Sequence, residues 1–235
     1  MKRASFIASS ASLAALGSTA QAAPTVPGGT HFVERKADFD EAAFAELVGR
    51  PADVRVAIEA VSWHPAVFAN IRNALNGLQF GFGYAPDRIA IVFAPHGPSS
   101  AFTYADSLWT KYKLGDFFKL KDDKGNALTA NTFVSPPKSF ATTDDPDDPA
   151  GFYQDTSIET LQKRGVVFLT CHTAVEEQAR GLVKAGYAPG ASPTEVANDI
   201  LTHLIPGTHV VPSMMSTIIV LQQRFHYGYQ TVDFT

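Results

Sequence analysis

Short apolar runs alternate along this chain with segments whose apolar residues recur at helical spacing. Phe39, Ala43, Phe44 and Leu47 mark one face of a helix over Phe39–Val48, and Gly49-Arg50-Pro51 ends it. Val54–Val61 alternates enough to predict a half-covered strand. The loop Ser62-Trp63-His64-Pro65 follows, with Pro65 suited to the first turn of a helix over Ala66–Phe80. Val67, Ile71, Leu75 and Leu78 give that helix one apolar face. Ile89–Phe93 is uninterrupted, as a strand covered on both faces should be. It runs into Ala94-Pro95-His96-Gly97-Pro98, and a further helix is predicted over Ser100–Lys111.

The pattern breaks between Tyr112 and Asp155. Phe117–Lys121, a turn at Asp122–Asn126 and Ala127–Phe133 predict a hairpin inside an insertion. The acidic run Asp144-Asp145-Pro146-Asp147-Asp148-Pro149 lacks the ligand spacing of a calcium loop and reads as a solvated loop. Beyond it the alternation resumes. A short helix is predicted over Ser157–Lys163, a strand over Val166–Thr170, and helices over Ala174–Ala185 and Pro193–His203. A strand at Thr208–Val211, a helix at Met214–Arg224 and a last strand at Tyr227–Val232 complete the chain. Short strands separated by helices predict an α/β fold with an open, mainly parallel sheet and helices on both faces. The expected organisation is an export signal over residues 1–23, a linker and helix over 24–53, and one α/β domain over 54–235 with its insertion at 112–155.

The amino terminus reads as a targeting segment. Lys2-Arg3 precede a mildly apolar stretch, Ala4–Gly17, and Ala20-Gln21-Ala22 fits the small-x-small rule for signal peptidase. Lys2-Arg3-Ala4-Ser5-Phe6-Ile7 is similar to a twin-arginine signal with Lys in the first position, so both export routes stay open. The stretch is too short and weak for a permanent membrane span. The mature protein is expected to be bacterial, and periplasmic or secreted.

Composition narrows the partners. The chain has 235 residues, 45% of them hydrophobic, enough for one sizeable core. Its net charge of −4 argues against nucleic acid or an anionic membrane surface as partner. No GxGxxG or P-loop is present, so no nucleotide is indicated and no cofactor is expected.

Candidate chemistry centres on Cys171, the one cysteine in the chain. The predicted strand before it and helix after it place the thiol at the carboxyl edge of a parallel sheet, where open α/β sheets bind ligands. A helix amino end there favours a thiolate, whereas burial would leave the residue a small apolar core group. The same edge should collect Trp63 and His64, His96, His172 and Ser213. Imidazoles beside a thiol can lower its pKa and carry protons, which makes Cys171, His96 and His172 the candidate catalytic set. Thiolate with imidazole also suits zinc or copper, and Cys171, His64 and His96 are the ligand set for that alternative. Neither H-x-x-H nor C-x-x-C spacing supports it.

Three groups of residues carry a family resemblance. Gly165-Val166-Val167-Phe168-Leu169-Thr170-Cys171 followed by a helix resembles the cysteine segment of the DsrE/DsrF/TusD sulfur-relay family. The stretch Leu204–Ser213, then Leu221-Gln222-Gln223 and Tyr227-Gly228-Tyr229, is similar to its exported DsrE-like members. Val54–Val61, Asn73-Ala74-Leu75-Asn76 and Ile91–Pro98 are similar to the family's first two strands. The insertion and the amino-terminal helix lie outside the resemblance. It implies a three-layer α/β/α fold, frequent homo-oligomers, and a cysteine, here Cys171, that holds sulfane sulfur as a persulfide. The implied partners are thiosulfate, polysulfide or a protein persulfide. The implied role is sulfur carrier or sulfurtransferase, needing no cofactor. A redox-accessory protein and a non-catalytic oligomeric binding module with Cys171 buried are the alternatives from other classes.

Overall fold

The computed structural model describes residues 32–139, 141 and 143–232. The expected export signal lies outside them. Among the described residues no helix is long and apolar enough to cross a membrane.

Helix α1 (Glu41–Val48) starts at Asp40, whose carboxylate accepts from the Ala43 N–H at 2.9 Å. Strand β1 (Val54–Ala60) leads to α2 (Ala66–Asn76), which continues into a wider turn over Gly77–Gly81. Strand β2 (Ile89–Pro95) follows, buried throughout. A 3-10 segment (Gly97–Thr103), α3 (Asp106–Tyr112) and α4 (Leu114–Phe118) come next, and α5 (Ile158–Lys163) closes the insertion. The carboxyl half comprises β3 (Val167–Cys171), α6 (His172–Lys184), α7 (Pro193–Thr202), β4 (Thr208–Val211), α8 (Met214–Phe225) and β5 (Gly228–Thr231).

The five strands form one sheet in the order β4-β3-β2-β1-β5, and every pairing is parallel. The α/β fold expected from the alternating pattern is therefore present. Right-handed crossovers dictate where the helices go. Steps from β1 to β4 march one way across the sheet and place α2 and α5 on one face, against Ile58, Phe93 and Phe168. Helices α3, α6 and α7 extend that layer through a neighbouring apolar cluster that contains Val175, Ile200 and Trp109. The step from β4 to β5 runs back across the sheet, so α8 lies on the opposite face with α1. That second face is lined by small residues, Ala57, Ala90, Ala94 and Cys171, which lets α8 approach closely.

Two local expectations are corrected. The helix predicted over Ser100–Lys111 is broken, because Tyr104 forms an isolated bridge with Leu204 and its phenol donates to Gln178 at 2.5 Å. The hairpin predicted from Phe117 is reduced to a single bridge, Lys121 with Ala127, and Phe117 and Phe118 end a helix instead. The Phe117 ring packs edge-on to Tyr187, and a Cβ at Gly181 of α6 would stand 2.9 Å from it. Helix-on-helix packing thus overrides the local strand preference.

Candidate functional site

All strand carboxyl ends meet on one edge, so the topology gathers Trp63, His64, His96, Cys171, His172 and Ser213 there. Helix α6 leaves β3 on one face and α8 leaves the neighbouring β4 on the other. The gap between such diverging connections is where open α/β sheets place their ligands. Cys171 lies in it. Its Sγ accepts from the Ala174 N–H of α6 at 3.4 Å and from the Met214 N–H of α8 at 3.3 Å. Two helix amino ends therefore converge on one sulfur, and both dipoles favour negative charge there.

Burial opposes them. Cys171 is 5% exposed. Burial pushes the thiol up from its ordinary value. The backbone N–H groups of Ala174, Met214 and Thr173 pull it down, and the charge of Glu177 adds to the rise. Desolvation is the larger effect, so the resting thiol is neutral. The chain at Phe32 is fixed beside this edge. The Thr173 hydroxyl lies 3.0 Å from the Phe32 carbonyl and 3.1 Å from that of Pro212, and Arg180 stacks 3.5 Å over the Phe32 ring.

The other predicted site residues divide by role. His64 Nδ1 accepts from the Ala66 N–H at 3.2 Å, which ties the ring to the first turn of α2. Trp63 lies flat on Phe102, ring centroids 3.7 Å apart, and edge-on to Trp109. It joins the two apolar clusters of the first face and is a packing residue. His172 is buried in the first turn of α6. Ser213 precedes α8 and makes no side-chain cap there. His96 is engaged by Glu59, with Nε2 2.8 Å from Oε1. The Tyr229 phenol donates to the other oxygen of that carboxylate. Among the described residues no group of three or more His, Cys, Asp or Glu side chains is placed to hold a metal. Cys171, His64 and His96 are not assembled into the ligand set considered above.

Glu59 and Tyr229 escaped the sequence reading. An acidic residue inside the apolar run Val54–Val61 was the available signal for Glu59. Comparisons with protein-family models, curated proteins and solved structures find no match.

Proposed function

We propose that this protein is a DsrE-like carrier of sulfane sulfur, held as a persulfide on Cys171, acting as a sulfur carrier or sulfurtransferase outside the cytoplasm. Self-association and the sulfur-relay family are part of the proposal. The observation that carries it is the convergence of two helix amino ends on Sγ in the crevice between β3 and β4. A persulfide is an anion with a terminal sulfur to be held, and backbone N–H groups of this kind suit it.

The step balances without an oxidant. The Cys171 sulfur attacks the sulfane sulfur of a donor R–S–SH, and a new S–S bond forms while the donor's breaks. The electron pair leaves on R–S⁻, which takes up the proton released by the Cys171 thiol. Because the thiol is covered at rest, loading needs the edge to open.

Transfer of sulfane sulfur from inorganic polysulfide to glutathione tests this reading. Wild-type protein should speed the transfer and Cys171→Ser should leave the uncatalysed rate. Equal rates for the two would refute it. The burial of Cys171 and its raised pKa favour one second reading, a non-catalytic binding module with a structural cysteine. That reading predicts equal transfer rates and no sulfur gain.

A further inference from the structure

The edge that carries the thiol also carries His96, and the sulfur-carrier reading does not use the partners that hold its ring. Glu59 of β1 is 6% exposed, and both its carboxylate oxygens are taken, one by His96 and one by Tyr229. A buried carboxylate with two designated partners from β5 and from the end of β2 is not a solvated surface charge.

Neighbouring strand ends bring His96 and the thiol to one edge of the sheet. Phe93 of β2 pairs with Phe168 of β3. The β2–β3 pairing ends at that step, and three residues further on the two neighbouring strands reach the same edge, one at His96 and the other at Cys171. The His96 N–H donates across to β1, to the Ala60 carbonyl at 3.0 Å, so β2 stays extended as far as His96. Alternation puts Ala94 and His96, and likewise Leu169 and Cys171, on the face that α8 covers. Glu59 follows Ala57 onto that face.

The tautomer follows from the partners. A carboxylate oxygen only accepts, so in neutral His96 the proton sits on Nε2 and Nδ1 keeps its lone pair. Tyr229 donates to the same carboxylate, and that hydrogen bond pushes its phenol above the ordinary value, so it stays a donor. The arrangement is a base oriented by a carboxylate that is itself oriented by a phenol.

We propose that His96 is the proton acceptor and donor for chemistry at Cys171, and that Glu59 and Tyr229 are positioning residues that fix its tautomer and support its charged form. The proposal rests on Cys171 being the reacting group. In sulfur transfer, His96 takes the thiol proton as sulfur attacks the donor, then returns it to the departing R–S⁻. The imidazolium formed between these steps is balanced by Glu59. The charge that acts on the thiol is Glu177 of α6, and the Tyr104 phenol is raised by burial and in part by the thiol's charge; both oppose the thiolate in every variant below.

The test is the rate of Cys171 modification from pH 5 to 9, measured with iodoacetamide and with inorganic polysulfide. Histidine NMR of the same full chain follows the His96 ring. His96→Ala should slow modification by about a hundredfold at neutral pH. Glu59→Gln should slow modification by about tenfold and release the His96 ring from its Nε2-protonated tautomer in the histidine NMR. Tyr229→Phe should keep most of the rate and the same tautomer, since Glu59 still holds the His96 ring. Folded His96→Ala and Glu59→Gln proteins that are modified at the wild-type rate would overturn the proposal. So would a wild-type thiol that neither reagent modifies in the folded state. Should Glu59→Gln fail to fold, His96→Asn and Tyr229→Phe give the same two readouts. Slower iodoacetamide modification of the variants without sulfur uptake in the wild type would support the proton relay while refuting the sulfur carrier.

Discussion

At the scale of single residues, burial and hydrogen bonding decide which candidates do chemistry. Trp63 looked like a site residue from its loop position, yet its ring is stacked into the core. Trp63→Ala should cost about 3 kcal/mol in denaturant unfolding, and measurement of the folded fraction should account for any lost activity. Glu34 shows the reverse case, a surface-type residue made sensitive by its surroundings. Burial, with the charge of Asp38 adding, pushes its carboxyl from 4.5 to about 7. Between those values the folded chain holds a proton that the unfolded chain has released, so stability falls as pH rises through that window and stays lowered above it. Glu34→Gln should therefore raise the thermal midpoint at pH 8 and leave it unchanged at pH 4. An equal shift at both pH values would contradict the assignment. Cys171 could be found from sequence because it is unique in the chain and ends a buried run. Its neutrality could not be, because desolvation depends on how α8 packs against it.

At the scale of elements, strands and most helices were legible because their periodicities are clean. Failures fell where tertiary contacts split or recast a segment. Tyr104 leaves its helix to pair with Leu204, and Phe117 joins a helix that packs on α6. The end of the insertion is fixed by side chains reaching backbone carbonyls. Arg72 donates to Gln154, and Asn76 and Arg164 donate to Tyr153. Burial lowers Arg164 to about 10, still well above neutrality, so it holds these contacts as a cation. Arg164→Ala should speed limited proteolysis within residues 143–155 and leave the rest of the chain uncut. Unchanged cleavage would mean that the remaining contacts suffice. The segment at Phe32 has a different role. Its carbonyl and ring are held by Thr173 and Arg180, close to the start of α6. Phe32→Ala combined with Arg180→Ala should raise iodoacetamide labelling of Cys171 by several-fold without changing the thermal midpoint by more than a few degrees. No change in labelling would show that access to the thiol lies elsewhere.

For the whole molecule, strand order creates the site, and strand order is what a hydrophobic pattern does not encode. The pattern placed the thiol and several histidines on one edge, since parallel strands share a carboxyl end. It did not show that β5 returns to lie against β1. Only that return brings Tyr229 to Glu59, and only the β1–β2 neighbourhood brings Glu59 to His96. The crevice between β3 and β4 has the same origin, because the reversed last crossover sends α8 to the opposite face from α6. The central claim, that Cys171 carries sulfane sulfur, is tested most directly by intact mass of the purified protein after incubation with inorganic polysulfide. The account predicts a gain of one or more sulfur atoms in the wild type, reversed by a reducing thiol and absent from Cys171→Ser. No gain in wild-type protein whose thiol reacts with iodoacetamide in the folded state would contradict it.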